Sequence, residues 1–243
     1  MSPPIVLITG SNQGIGLATA QSLAKNHNYH VLIGARNIQA GEDIAASLRA
    51  AGHKASSIQL DLTSEESIKS AVTTIEENFG YLDVLVNNAG ILLDRREDLS
   101  TWDLFNQTFT TNVIGTATLT ESLLPLLRKS KAGPPRIVFV SSSMGSLHNA
   151  LDKSLMCYPI DYKAYDASKA AANMLMLNYA RILEPDGGKV NSVCPGLVKT
   201  NLTAFTPYGG TPEAAAERIV EMAVLGVDGP SGTFSCSTGE IPW

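Results

Sequence analysis

Short runs of apolar, largely β-branched residues alternate along the chain with longer stretches whose apolar positions recur every three to four residues. The runs cover residues 5–9, 30–35, 55–60, 84–87, 137–141 and 190–194. Each is nearly continuous in apolarity rather than alternating, which predicts strands covered on both faces, as in a parallel sheet. Between the third and fourth runs, Ile68, Val72, Ile75 and Phe79 form the stripe of an amphipathic helix. Thr63 and Glu66 stand where a capping box would start that helix. This alternation predicts one doubly wound α/β domain, a parallel sheet with helices on both faces. No repeat, low-complexity stretch or linker divides residues 1–243. The irregular segments of any length are 142–163 and the Pro/Gly-rich 196–211.

Composition narrows the function classes. Apolar residues make up 44% and charged residues 17%, an ordinary globular balance without a disorder signature. The net charge of −5, with no Lys/Arg run, argues against a nucleic-acid partner. Cys157, Cys194 and Cys236 are too few and too scattered for a disulfide framework or a zinc ligand set, and they suit a reducing compartment. Met1-Ser2-Pro3-Pro4 lacks a basic leader, and the following apolar run is too short for a signal core or membrane span. A cytoplasmic protein with no metal and no membrane partner is expected.

The first run leads into Thr9-Gly10-Ser11-Asn12-Gln13-Gly14-Ile15-Gly16, and a helical pattern follows through Leu17, Ala20 and Leu23. Glycines at a strand-to-helix turn permit positive φ and let the backbone approach a pyrophosphate, while the helix start offers free N–H groups to the anion. The turn therefore points to a dinucleotide in a Rossmann-type domain, with a cofactor half over about 1–135 and a catalytic and substrate-loop half over about 136–243. An acidic residue about 20 positions past such a turn takes the ribose 2′-hydroxyl of NAD, whereas an arginine there suits the 2′-phosphate of NADP. Arg36, in Gly34-Ala35-Arg36-Asn37, stands at that place with no carboxylate beside it, so NADPH/NADP+ is the expected cofactor. Asp61, followed by Leu62 after the third run, reads equally as an acceptor for the adenine amino group or as a turn residue.

Tyr165 and Lys169 are four positions apart in a helical pattern, which puts them on one face. A free tyrosine titrates near 10, too high for proton transfer at neutral pH, and an adjacent ammonium favours its phenolate. Ser142, just past the fifth run, stands where such strands deliver functional hydroxyls.

Taken together, Thr9-Gly10-x3-Gly14-Ile15-Gly16, Asn87-Asn88-Ala89-Gly90, Asn112, Ser142, Tyr165-x3-Lys169 and Pro195-Gly196 resemble the short-chain dehydrogenase/reductase family from Ile5 onward. Gly34-Ala35-Arg36-Asn37 and the C-terminal stretch are similar to its NADPH-dependent carbonyl reductases. The resemblance implies that Tyr165 is the general acid of carbonyl reduction. Lys169 would lower its pKa and hold the nicotinamide ribose, and Ser142 would orient the carbonyl. Asn112 would place a water in the proton relay. Gly10, Asn12, Gln13, Gly14, Ile15 and Gly16 would hold the pyrophosphate, and Asn88, Ala89 and Gly90 the adenosine side. Pro195, Gly196, Val198 and Thr200 would hold the carboxamide. Ser141, Ser142 and Ser143 are consecutive, and the family pattern points to Ser142. The stretch from Ser142 to Tyr165 is longer than in the shortest members, which puts transfer of substrate specificity in doubt.

Leu92, Leu93, Met144, Leu147, Tyr158, Leu197, Leu202 and Phe205 come from loops after strand ends and suggest an apolar pocket for a hydrophobic or aromatic ketone or aldehyde. Leu93, Met144, Tyr158, Leu202 and Phe205 are the substrate candidates. The helix over 165–183 is apolar nearly all round, so a face left over from the sheet would suit either a second copy of the chain or the segment before Tyr165, which would leave a monomer. Alternative readings are an NAD(P)-linked alcohol dehydrogenase working in oxidation and a non-catalytic NADP-binding regulator. The latter would have no use for Tyr165 and Lys169 together.

Overall fold

The fold was obtained as a computed structural model and is described for residues 2–243; Met1, one of the residues read for a leader, lies outside them. Six strands coincide with the apolar runs to within a residue: β1 (Ile5–Thr9), β2 (His30–Ala35), β3 (Ala55–Gln59), β4 (Val84–Asn87), β5 (Arg136–Val140) and β6 (Lys189–Val193). Two short strands that the pattern did not announce follow, β7 (Phe234–Cys236) and β8 (Gly239–Glu240). They make one sheet in the order β3-β2-β1-β4-β5-β6-β7-β8. All pairings are parallel except β7 with β8. The doubly wound reading is therefore the observed fold.

The helices between the strands are α1 (Gly14–His27), α2 (Ile38–Ala50), α3 (Glu65–Phe79), α4 (Thr101–Phe109), α5 (Thr116–Leu127), α6 (Lys163–Leu183) and α7 (Pro212–Ala223). The pleat sends alternate strand residues to opposite faces, and both faces are covered. Leu7, Leu85 and Ile137 pack with Ile68 and Ile75 of α3, Leu119 and Leu123 of α5 and Met176 of α6. Val6, Ile8, Val84 and Val86 pack with Leu23 of α1, Leu48 of α2 and Ile219 of α7 on the other face. The chain winds outward from β1 to β3 and then crosses back to β4. This reversal opens a crevice beyond the carboxyl ends of β1 and β4, where open α/β sheets bind ligands.

Side-chain caps fix most helix starts. Asn37, Ser64, Ser100 and Thr211 accept from backbone N–H groups of α2, α3, α4 and α7. The Thr63/Glu66 capping box does not form. Ser64 caps α3, and Thr63 is occupied one step earlier, its N–H and hydroxyl both donating to Asp61 Oδ1 at 2.9 and 2.7 Å. Between α4 and α5 the helix widens into one π-type segment, Thr110–Gly115. Residues 143–162 form two single 3₁₀ turns, Ser143–Gly145 and Asn149–Leu151, and then an irregular stretch. The C-terminal residues tie this segment down, with His148 N–H donating to the Trp243 carbonyl at 2.7 Å and the Ser146 hydroxyl to Pro242. Among the described residues no helix is long and apolar enough to cross a membrane.

Candidate active site

A cleft of about 520 Å³ occupies the crevice at the switch point. Its floor begins with the glycine turn. Gly14 adopts φ +57°, a conformation that side chains resist, and the Cβ of any larger residue at Gly16 would lie 2.5 Å from Asn88 Nδ2 and 2.7 Å from the Gly10 carbonyl. Asn88 thus does structural work, its amide donating to the Thr9 carbonyl at 2.8 Å and its N–H to the Thr9 hydroxyl at 3.0 Å. It lines the cleft as well, with Ala89 and Gly90. The start of α1 has no side-chain cap. Its first N–H groups face the cleft beside Gly10, Asn12, Gln13 and Ile15, a cradle that suits the pyrophosphate of a dinucleotide.

Arg36 closes one end of the cleft, exposed and without an ion pair among the described residues. Asp61 and Leu62 lie beside it. Asp61 Oδ1 holds the Thr63 turn, so of the two readings of Asp61 the turn is formed. Its second carboxylate oxygen has no side-chain or backbone partner among the described residues.

The other end carries the candidate catalytic groups. Ser142, Tyr165 and Lys169 line the cleft together with Pro195, Gly196, Val198 and Thr200. Tyr165 and Lys169 stand one turn apart on α6, with Lys169 Nζ 5.4 Å from the Tyr165 ring centre and donating to the Val140 carbonyl at 2.9 Å. Both side chains are almost fully buried. Burial is the first influence on each. It pushes the Tyr165 phenol above its ordinary value, and negative charge on Cys194 or Asp166 pushes the same way; the Ser142 hydrogen bond opposes it. Burial lowers the Lys169 ammonium to about 8. Desolvation of the phenolate is thus the leading influence on Tyr165.

Asn112 lies in the π-type segment and does not line the cleft. Its amide clamps Ile91, accepting from the Ile91 N–H at 2.8 Å and donating to the Ile91 carbonyl at 2.9 Å. It also donates to Ser168 Oγ at 3.0 Å. A Cβ at Gly90 would lie 3.4 Å from both Asn112 Oδ1 and Lys169 Nζ, so these two atoms flank the same glycine.

Of the substrate candidates, Leu202 and Phe205 line the cleft, whereas Leu93, Met144 and Tyr158 do not. Leu92, Leu147 and Leu197 are also outside it. Leu147 and Tyr158 are exposed, and the C-terminal residues hold the backbone beside Leu147 through His148. Residues that the sequence reading passed over complete the lining: Ile91, Thr111, Lys199 and Asn201. Asn201 reaches across the cleft to donate to Gln13 Oε1 at 2.8 Å, a contact between positions too distant for any local pattern to announce.

Comparison with known proteins agrees with this geometry. The short chain dehydrogenase family matches residues 4–207. A short-chain dehydrogenase/reductase of Phoma sp. is 34% identical, over 96% of this chain and 88% of its own. Carbonyl reductase (NADPH) 1 of Mus musculus is 31% identical, over 100% of this chain and 99% of its own. Among solved structures, the NADPH-bound carbonyl reductase from chicken fatty liver superposes with a TM-score of 0.85 at 25% identity, covering 100% of both chains.

Proposed function

The chain belongs to the short-chain dehydrogenase/reductase family, and from that premise we propose that it is an NADPH-dependent reductase of hydrophobic or aromatic ketones and aldehydes. The observation that carries this reading is the meeting of an uncapped glycine turn, Arg36 and the Ser142–Tyr165–Lys169 group in one cleft. NADPH is favoured over NADH because Arg36 is a free guanidinium that can bind a 2′-phosphate bidentately. The mouse and chicken carbonyl reductases, which carry NADPH in their names, support the same choice.

When bound, the cofactor supplies a hydride to the carbonyl carbon. The Tyr165 phenol donates its proton to the carbonyl oxygen as negative charge develops there. The Ser142 hydroxyl donates a hydrogen bond to the same oxygen and fixes its direction. Lys169 would hold the ribose and return a proton to the tyrosine. Asn112 Oδ1 keeps a second lone pair beside Gly90, and a water held there continues the relay. Burial favours the neutral phenol of Tyr165, the form that a proton donor needs. Leu202 and Phe205 offer an apolar wall to a hydrophobic substrate.

The exposed Met174 of α6 borders, with Leu177 and Ala180, a second hollow of about 620 Å³ that contains none of the catalytic candidates. A second copy of the chain would associate through that face, and a cytoplasmic location accords with three free cysteines.

The test is NADPH oxidation against quinones, aryl ketones, diketones and aldehydes, with NADH and the corresponding alcohols run in parallel. Reduction with NADPH preferred over NADH supports the proposal. Alcohol oxidation alone would favour the dehydrogenase alternative, and tight NADPH binding without any turnover would favour a regulator.

A further inference from the structure

The helix that carries Tyr165 does not cap itself. The residue before its first turn, Tyr162, makes no side-chain cap, so the N–H groups of Lys163, Ala164 and Tyr165 have no partner within α6. The first intrahelical bond runs from Asp166 N–H to the Tyr162 carbonyl at 2.8 Å. Asp94, in the loop beyond β4, fills the gap from outside. Its Oδ1 accepts from Ala164 N–H at 2.8 Å and its Oδ2 from Tyr165 N–H at 3.2 Å. The neighbouring Arg95 stacks over the Tyr162 ring, 5.3 Å from its centre, and donates to the Tyr162 hydroxyl.

The other backbone polar group of Tyr165 is also held. Ser168 Oγ donates to the Tyr165 carbonyl at 2.7 Å, and Asn112 holds Ser168 while clamping Ile91, three residues before Asp94. The backbone of Tyr165 is therefore fixed at its N–H by Asp94 and at its C=O by Ser168. Both fixings lead back to the loop after β4.

From this geometry we propose that Asp94 is a positioning residue for Tyr165, a trans-acting cap that orients the first turn of α6 without touching substrate or cofactor. The inference rests on Tyr165 being the proton donor. A carboxylate at a helix start satisfies free N–H groups and complements the helix dipole. Without it the first turn frays, and fraying moves the phenol relative to a substrate oxygen held elsewhere. A misplacement of about 1 Å at a reacting group lowers turnover by up to about a hundredfold. The pyrophosphate cradle lies on α1, so cofactor affinity should be spared.

The test compares Asp94→Ala and Asp94→Asn with two references. Asn keeps one acceptor oxygen and the shape, so kcat should fall in the order wild type, Asn, Ala, by about tenfold or more for Ala. The NADPH dissociation constant of both variants should stay within about twofold, as the spared cradle implies. Ser100→Ala, which removes the cap of α4, should lower the melting temperature comparably and leave kcat near wild type. If Asp94→Ala fails to fold, Asp94→Asn decides alone: a several-fold fall in kcat with NADPH binding intact supports the proposal. An unchanged kcat in either soluble variant overturns it, as does an equal kcat loss in Ser100→Ala. Tyr165→Phe separates the two claims: full activity there refutes the proton-donor reading itself, whereas an inactive Tyr165→Phe beside a fully active Asp94→Ala refutes only the role of Asp94.

Discussion

Lys169 Nζ donates to the carbonyl oxygen of Val140 at 2.9 Å, at the end of β5 and two residues before Ser142. This bond ties the catalytic helix to the strand that presents the serine, and the loop packs on the same turn of the helix, where a Cβ at Gly145 would lie 2.7 Å from the Lys169 backbone. It also leaves the ammonium buried with one backbone acceptor. Desolvation is the reason its proton is held only to about pH 8.

A pH dependence of cofactor binding follows. Lys169 is charged below about 8 and neutral above it, and the anionic cofactor prefers the charged form. The NADPH dissociation constant, followed by fluorescence titration, should rise as pH increases through about 8. Lys169→Met should bind more weakly at neutral pH and lose that pH dependence. A wild-type constant flat between pH 6 and about 10 would show that the ammonium does not face the cofactor.

Arg36 should decide between cofactors. A charge-assisted hydrogen bond contributes about 1.5–3 kcal/mol, so Arg36→Asp should lower kcat/KM for NADPH by about ten- to a hundredfold. The carboxylate should meanwhile raise the relative use of NADH by accepting from its 2′-hydroxyl. An unchanged NADPH to NADH ratio would remove Arg36 from the 2′-phosphate site.

Much of this arrangement was legible in the sequence, for identifiable reasons. The six principal strands were visible because strands covered on both faces need continuous apolar runs, as in Ile5-Val6-Leu7-Ile8. Tyr165 and Lys169 were visible because helical spacing puts them on one face. β7 and β8 escaped because three and two residues are too short to display a period. The Thr63/Glu66 cap failed because Asp61, two residues earlier, competes for the threonine. Asp94 escaped for a different reason: its partners lie 70 and 71 positions away, and no local pattern reports a cap supplied in trans. Met144 and Tyr158 stand outside the cleft in a segment whose course depends on tertiary ties of Ser146 and His148 to the C-terminal residues, which no local pattern reports.

Asp166 stores a pH-dependent instability beside the catalytic tyrosine. Partial burial and the charges of Asp94 and Asp161 raise its carboxyl from 3.8 to about 6. The folded state thus binds a proton that the unfolded chain has released between those two values, and stability falls as pH rises through that window. Asp166→Asn should be more stable than wild type at pH 7, by chemical denaturation, and the difference should vanish near pH 4, about where the unfolded carboxyl titrates. A difference that persists at low pH would assign the effect to packing.

Gly115 tests the packing at the end of the π-type segment. A Cβ there would run into the carbonyl oxygen of Leu62, a backbone atom that cannot swing aside. Gly115→Ala should destabilise by about 1–3 kcal/mol, as overpacking usually does. Gly226→Ala, where a Cβ meets nothing within 4 Å, should be close to neutral. Equal denaturation midpoints for the two variants would refute the close approach.

The central claim is that Tyr165 protonates a carbonyl oxygen in the cleft it shares with the cofactor, and kcat of Tyr165→Phe tests it most directly, measured with NADPH and the best ketone of the panel beside NADPH affinity. Removing one hydroxyl should lower kcat by about a hundredfold or more, the usual contribution of a general acid, while the NADPH dissociation constant stays within about twofold. Activity near that of the wild type would contradict the account.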